Sequence, residues 1–238
     1  MIRAVLFDLD DTLFDHRRSA RAALQEVHHV HAPGFDFAAF ERHHAHFLEE
    51  MHLEVLAGRI GLDDARRERF RKVFAALGVR LDDPQVYAVA AAYRDGYMSA
   101  RRPLDGAPEL LACLKPRVSI VIVTNNLLEE QQDKLTHCGL DSFVDVLIAS
   151  EDVGVAKPDP GIFQIALARA GVDAAGAVMV GDAWVNDVTG ARAAGIAAVW
   201  FNPERKPRPS NLAGVAEIHA LAPAAEIAAL LIGAAVRS

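Results

Sequence analysis

The chain has 238 residues, 52% hydrophobic and 24% charged, so it is long enough to bury a sizeable core and too apolar for a disordered chain. A formal net charge of −7 argues against a nucleic-acid-binding protein that works by bulk electrostatics, but it leaves room for a local small-anion site. The two cysteines, Cys113 and Cys138, lack metal-ligand spacing and are too few for a disulfide scaffold, so we expect reduced, partly buried thiols.

The apolar segments near the two ends of the sequence do not have the pattern of a signal peptide or a membrane span. The first apolar run covers only residues 4–7 and is followed directly by acidic residues. The stretch 221–236 is rich in alanine but contains Pro223 and Glu226, which is typical of a packed helix. We therefore expect a soluble cytoplasmic protein with no nucleic-acid partner and no membrane partner.

Short apolar runs that end abruptly in polar residues predict the strands of a parallel sheet. Runs rich in Val and Ile without polar alternation are typical of strands covered on both faces. In chain order the predicted strands are 4–7, 118–123, 144–148, 177–180 and 197–201. Helical stretches are predicted between them at 107–114, 128–138, 160–170 and 185–194, with Gly139, Gly171 and Gly195 at C-cap positions. This alternation predicts right-handed βαβ units.

The segment 15–102 interrupts the alternation of strands and helices. It contains no strand-like run, and its apolar residues recur at helical spacing. Turn-forming residues at 33–34, 58–61 and 82–84 divide it into about four helices. We therefore predict an all-helical domain at 15–102, inserted into an α/β core formed by 1–14 and 103–238.

Residues that directly follow the predicted strands define a candidate site, because ligands of open parallel sheets bind beyond the carboxyl ends of the strands. Each of these short polar segments alone is also typical of a turn, a loop start or a helix cap. The prediction therefore depends on the presence of all of them, each at the end of a strand or the start of a helix. Carboxylates that meet there would raise one another's pKa unless a cation compensates, and oxygen ligands favour Mg²⁺. The candidate residues are Asp8, Asp10, Thr12, Thr124, Asn125, Lys157, Asp182 and Asp187.

Four motifs in this order resemble those of the haloacid dehalogenase-like (HAD) hydrolase superfamily. They are FDLDDTL at 7–13, VTNN at 123–126, KPDP at 157–160 and VGDAWVNDV at 180–188. The resemblance covers nearly the whole core, whereas the inserted segment matches in placement and helicity more than in sequence. It implies a Rossmann-like parallel sheet with a helical C1-type cap, and an enzyme that hydrolyses a small phosphate ester.

The resemblance also implies a role for each matching residue. Asp8 would be the nucleophile that forms an aspartyl-phosphate, and Asp10 would protonate the leaving oxygen and then activate water. Thr124 and backbone N–H groups around Asn125 would bind the phosphoryl oxygens, and Lys157 would neutralise their charge.

A metal site and a supporting threonine complete what the resemblance implies. The resemblance implies that Thr12 belongs to the substrate-binding residues, and we expect it to steady the catalytic loop. The cofactor would be Mg²⁺, held by Asp8, the Asp10 carbonyl and Asp182, with Asp187 contacting either the ion itself or one of its ligands.

Single positions separate the branches of the superfamily. Dehalogenases lack the second aspartate, so Asp10 favours phosphoryl chemistry. The family's phosphomutases resemble D-x-D-G, and Asp11 occupies the position of that glycine here, which favours a phosphatase over a phosphomutase. Phosphonate-cleaving members use a cap lysine, and Lys72 is the only lysine between residues 15 and 102. We therefore expect a Mg²⁺-dependent phosphomonoesterase acting on a nucleoside monophosphate, a sugar phosphate or a similar metabolite. The alternatives are a 2-haloacid dehalogenase and a non-catalytic phosphometabolite-binding protein; a monomer and a homodimer both remain open.

The inserted segment is rich in histidine, and a second segment is rich in basic residues. We expect the histidines to be solvated or to line the substrate rather than to form a metal cluster. This expectation concerns seven of the eight histidines of the segment, all except His16: His28, His29, His31, His43, His44, His46 and His52. The Pro-rich run 203–209 is expected to be an exposed basic loop.

Overall fold

The computed structural model describes residues 1–233, which contain a six-stranded parallel sheet of order β3-β2-β1-β4-β5-β6. This order is that of a doubly wound Rossmann-like sheet, as the resemblance to the HAD superfamily implies. The strands are β1 (Ala4–Phe7), β2 (Ser119–Thr124), β3 (Val146–Ala149), β4 (Ala177–Gly181), β5 (Ala197–Phe201) and β6 (Ala216–Ile218).

Strand β1 lies in the middle of the sheet, between β2 and β4. All four of its residues are fully buried, which explains why the strand is an unbroken apolar run. At its carboxyl end, Phe7 pairs with Ile122 of β2 and Val180 of β4. The strand order reverses at β1, so the loops after β1, β2 and β4 meet where such sheets bind ligands.

The helices agree closely with the sequence prediction in the core and in the inserted segment. Each βα unit of the core packs a helix on the sheet, and a buried cluster that includes Leu6, Val121, Phe163 and Met179 fills the space between them. The α-helices are α1 (His16–His31), α2 (Phe37–Leu56), α3 (Leu62–Ala76), α4 (Asp83–Ala100), α5 (Ala107–Leu114), α6 (Leu128–His137), α7 (Ser150–Val153), α8 (Pro160–Ala170), α9 (Gly190–Ala193) and α10 (Ala224–Gly233).

The chain divides into two compact units, one formed by Met1–Asp15 with the chain from Arg102 onward, and the other by His16–Arg101. The second unit consists of α1 to α4, with α1 packed on α4 and α2 on α3. Its own core contains Leu24, Phe40, Phe70 and Phe74. These apolar residues recur at helical spacing in the sequence, so the four-helix prediction is confirmed.

The structure corrects several element predictions. The predicted helix 185–194 begins as a π-helix, Trp184–Thr189, and continues as α9. The predicted stretch 221–236 becomes helical only at Ala224, after Pro223, and its last residues, 234–236, lie outside the described range. Strand β6 and the short helix α7 were not predicted.

Other expectations concern residues outside these elements. Both cysteines are half-buried, and neither forms a disulfide within residues 1–233. Gly139, Gly171 and Gly195 have positive φ angles of 65°, 65° and 77°, which are common at the C-terminal ends of helices. The loop 203–209 is exposed. None of the helices described within residues 1–233 has the length and apolarity needed to cross a membrane.

Candidate active site

The loop after β1 holds Asp8 at the edge of the sheet. The Asp8 N–H donates to the carbonyl of Val180 at 2.9 Å, which fixes this residue between β1 and β4. The chain then turns tightly, since the N–H groups of Leu13 and Phe14 both donate to the Leu9 carbonyl at 2.9 Å. Asp11 takes a left-handed conformation with φ 62°, a conformation that aspartate tolerates better than most residues.

Lys157 connects two of the predicted carboxylates. Its Nζ donates to Oδ1 of Asp8 at 2.6 Å and to Oδ1 of Asp187 at 2.7 Å, and its side chain is 2% exposed. Burial lowers the pKa of the Lys157 ammonium, but the carboxylates of Asp187 and Asp8 outweigh burial and hold this pKa above its ordinary value. Lys157 is therefore a fixed positive charge beside Asp8.

Asn125 positions the backbone of Lys157. Its Nδ2 donates to the Lys157 carbonyl, and its Oδ1 accepts the Lys157 N–H, both at 2.7 Å. An asparagine has a donor and an acceptor on one planar group, so it can form this two-point clamp between the loop after β2 and the lysine loop. The sequence expectation concerned only the backbone around Asn125 and did not anticipate the clamp.

Asp187 is fully buried in the π-helix that follows β4. Its N–H donates to the Ala183 carbonyl at 2.8 Å, and its Oδ2 accepts the Ala183 N–H at 2.9 Å. A Cβ at position 181 would overlap the Asp187 carboxylate, so only glycine fits at the end of β4. With Oδ1 on Lys157, both oxygens of Asp187 have partners.

Asp182 and Thr12 lie where the loop after β4 meets the loop after β1. The fully buried Thr12 accepts the Asp182 N–H on its Oγ1 at 3.2 Å. This contact lies where Thr12 is expected to steady the loop after β1, and the expectation that Thr12 binds substrate stays a prediction. The Asp182 carbonyl accepts the indole N–H of Trp200 at 2.9 Å, which ties this loop to β5.

Asp8, Asp182 and Asp187 form a group of three carboxylates that fits a metal ion. Each offers one oxygen, and these oxygens lie within 4.8 Å of one another. Carboxylate oxygens are the ligands that Mg²⁺ prefers, and one lysine does not balance three acids.

The electrostatics of Asp8 support the same interpretation. Burial raises the pKa of the Asp8 carboxyl well above its usual range. Lys157 lowers this pKa, whereas the neighbouring carboxylates Asp187 and Asp182 raise it further. A divalent cation among the three acids would remove this repulsion, so the donor set and its charge both fit Mg²⁺.

The side chain of Asp10 belongs to a second group of residues. Its carboxylate accepts hydrogen bonds from Asn126 at 3.2 Å, from Gln131 at 3.1 Å and from Lys134 at 2.6 and 2.9 Å. Gln131 also donates to Oγ1 of the buried Thr124 at 2.6 Å. Gln131 and Lys134 were not predicted as site residues, because polar residues occur along the whole of this helix and none of them is marked by the sequence as a partner of Asp10.

Residues 2–195 match the family model described as haloacid dehalogenase-like hydrolase. The chain is 33% identical over 213 residues to a ribulose-1,5-bisphosphate 5-phosphatase of Halopiger xanaduensis, covering 87% of each chain. It is 30% identical to the pyrimidine 5'-nucleotidase YjjG of Escherichia coli, covering 88% of this chain and 90% of that protein.

Solved structures share the fold as well. The magnesium-bound structure of the putative HAD-hydrolase YfnB from Bacillus subtilis superposes with a TM-score of 0.74 at 25% identity, covering 95% of this chain and 98% of YfnB. A 2-haloacid dehalogenase from Pseudomonas syringae pv. Tomato DC3000 superposes with a TM-score of 0.63 at 27% identity, covering 96% and 99%. From the four motifs, the sheet order and these matches, the chain belongs to the haloacid dehalogenase-like hydrolase family.

Proposed function

We propose that the protein is a Mg²⁺-dependent phosphomonoesterase that hydrolyses a small phosphorylated metabolite through an aspartyl-phosphate on Asp8. The observation that carries this proposal is the group of three carboxylates formed by Asp8, Asp182 and Asp187. Asp8 directly follows the central strand, and the buried Lys157 contacts it. Relatives that are phosphatases of small metabolites support the same reaction class.

In the first half-reaction an oxygen of Asp8 attacks the phosphorus, and the bond between phosphorus and the ester oxygen breaks. Asp10 gives its proton to the departing alkoxide, which leaves as an alcohol. Lys157 stays protonated beside Asp8 and neutralises charge on the phosphoryl oxygens. With its oxygen engaged by Gln131, Thr124 donates its hydroxyl proton to a phosphoryl oxygen, together with backbone N–H groups near Asn125.

In the second half-reaction the Asp10 carboxylate takes a proton from water, and the water oxygen attacks the phosphorus of the aspartyl-phosphate. The acyl-phosphate bond breaks, inorganic phosphate leaves and Asp8 is restored as a carboxylate. Bound Mg²⁺ would screen the negative charges of nucleophile and phosphate as they approach. Asp8, the Asp10 carbonyl and Asp182 are the proposed ligands, and Asp187 acts mainly through Lys157, because both of its oxygens have partners.

The presence of Asp10 favours this reaction over dehalogenation, despite the dehalogenase among the structural neighbours. A halide leaves without a proton, so a dehalogenase has no use for an acid at this position. A non-catalytic binding protein is disfavoured because every proposed catalytic position is filled.

We propose a nucleoside monophosphate or a sugar phosphate as the substrate class. The relatives named above act on a sugar bisphosphate and on pyrimidine nucleotides, which supports both options. We also propose that residues 15–102 form the cap that selects the substrate, and that 1–14 and 103–238 form the hydrolase core.

Phosphate release from a panel of nucleotides, sugar phosphates and phospho-acids, measured with Mg²⁺ and with a chelator, tests the proposal. We expect release from a few members that stops when the chelator is added. A folded, metal-loaded protein that releases phosphate from none of them would contradict the proposal, and a 2-haloacid assay would then test the alternative.

A further inference from the structure

We propose that Lys134 and Gln131 of helix α6 are positioning residues that hold the Asp10 carboxylate for proton transfer to the leaving group. The inference rests on the proposed phosphatase function and adds a second lysine to it. Lys157 serves Asp8 and Asp187, whereas Lys134 serves Asp10. The two carboxylates of the D-x-D motif thus have separate, buried cationic partners.

The contact between Lys134 and Asp10 is close and shielded from water. Lys134 Nζ lies 2.6 Å from Oδ1 and 2.9 Å from Oδ2 of Asp10, so the ammonium group contacts both oxygens. The Lys134 side chain is only 5% exposed, and its ammonium lies 5.2 Å from the ring centroid of Phe14. A lysine is rarely buried to this extent unless it is paired, because an unpaired buried charge is costly.

Gln131 joins this ion pair to the proposed phosphoryl-binding residue. It is fully buried one helical turn before Lys134, and its Nε2 donates both to Asp10 Oδ2 and to Thr124 Oγ1. A shift of Thr124 would therefore also disturb Asp10. The helix that follows β2 thereby fixes the proton donor relative to the phosphoryl group, and a fixed proton donor is what general acid catalysis requires.

The chemistry gives these residues a specific signature. An alkoxide is a poor leaving group and needs the proton of Asp10 as the ester bond breaks, whereas 2,4-dinitrophenolate leaves without one. Loss of Asp10 positioning should therefore slow the transfer of the phosphoryl group from an alkyl phosphate to Asp8 and spare its transfer from 2,4-dinitrophenyl phosphate. A general loss of structure would slow both substrates alike.

The test compares kcat/KM of the wild-type protein and its Lys134→Met variant on one alkyl phosphate from the panel and on 2,4-dinitrophenyl phosphate. This ratio reports the steps up to release of the alcohol, so the later hydrolysis of the aspartyl-phosphate, in which Asp10 also acts, does not enter it. We expect kcat/KM for the alkyl phosphate to fall by about 10²-fold or more and kcat/KM for the aryl ester to change by less than about threefold. Lys134→Arg should restore part of the loss, and Gln131→Met should show a smaller selective loss. Lys115→Met removes another lysine paired with an aspartate, Asp145, and should leave both substrates unaffected.

Equal losses of kcat/KM on the two substrates in Lys134→Met, Lys134→Arg and Gln131→Met, or no loss in any of them, would overturn the inference. If Lys134→Met fails to fold, the same comparison with Lys134→Arg and Gln131→Met decides. The aryl ester also separates this inference from the proposed function. Wild-type protein that releases phosphate in an Asp8-dependent way neither from the panel nor from the aryl ester would refute the phosphatase proposal itself.

Discussion

Gly181 shows how a single backbone position determines the geometry of the acidic group. The Asp187 carboxylate occupies the space where a side chain at position 181 would begin, and Asp187 in turn accepts a hydrogen bond from Lys157. A methyl group there would push Asp187 away and release the lysine from one of its two carboxylates. The identity of this one residue is therefore coupled to the charge beside Asp8.

We expect Gly181→Ala to lower the free energy of unfolding by about 1–3 kcal/mol, because the added methyl group overpacks the site. Phosphate release should fall at least about tenfold, since Lys157 loses its fixed position. Denaturant unfolding and steady-state kinetics measure the two effects. Gly34→Ala is the matched control, because a Cβ added at position 34 would have no atom within 4 Å, and it should change neither quantity. A Gly181→Ala variant of wild-type stability and activity would contradict this account.

At the level of single residues, the sequence predicts the carboxylates that meet at the sheet edge, but it does not predict the side chains that contact Asp10. Asp8, Asp182 and Lys157 directly follow strands or precede a helix, so topology alone brings them to one edge. Lys134 contacts Asp10 across 124 positions of the chain, and no local pattern reports such a pair. The motif position of Thr12 likewise does not reveal that its side chain is fully buried and accepts the Asp182 N–H.

At the level of elements, α2 and α3 bury polar groups among aromatic rings. His44 is 4% exposed, with its ring centroid 4.9 Å from that of Tyr93, and Arg69 lies with its guanidinium carbon 4.7 Å from the same ring centroid. His44 is therefore not solvated, and contact of the histidines with a substrate stays a prediction. Burial lowers the pKa of His44 well below 6.5, and the nearby charges of Arg69 and His16 lower it further.

This burial predicts a pH dependence of stability. Well above pH 6.5, His44 is neutral in both the folded and the unfolded chain, so its protonation does not change the free energy of unfolding. Below that value the unfolded chain takes up a proton that the folded chain does not, and stability falls by up to about 1.4 kcal/mol per pH unit until the folded pKa is reached. Unfolding curves between about pH 7.5 and pH 5.5 measure the slope.

The variant His44→Gln should remove that part of the slope, whereas His29→Gln, at an exposed position, should retain it. Equal slopes in the wild type and His44→Gln would contradict a neutral, buried His44.

Elements with a strong apolar pattern were predictable, and those that depend on tertiary contacts were not. The bounds of β5, α5 and α8 match the prediction. Strand β6, at the edge of the sheet, has only three residues and includes the partly exposed Glu217. Its apolar pattern is therefore too short to predict a strand from the sequence. The sequence pattern does not distinguish the π-helix from an α-helix. In the structure, the buried contacts of Asp187 lie in this π-helix.

At the level of the whole molecule, an excess of buried negative charge couples metal binding to stability. A cation that binds the folded chain and not the unfolded chain stabilises the fold by mass action. We expect Mg²⁺ at about 100 times its dissociation constant to raise Tm by roughly 5–10 °C. Differential scanning calorimetry with Mg²⁺ and with a chelator measures the shift.

Asp182→Asn should lose most of this Mg²⁺-dependent shift, because it removes one carboxylate of the group. Asp105→Asn removes a carboxylate that is 91% exposed and should keep the full shift. An Asp182→Asn variant that responds to Mg²⁺ like the wild type would show that the ion binds elsewhere.

The most direct test of the whole account is to trap the phosphoryl group on Asp8. Wild-type protein, mixed with Mg²⁺ and a substrate from the panel, is quenched in acid, and its peptides are analysed by mass spectrometry. We predict a phosphoryl group on the peptide that contains Asp8, and a loss of turnover of about 10³-fold or more in a folded Asp8→Asn variant. Retention of most activity by Asp8→Asn, or a phosphoryl group on another residue, would contradict the account.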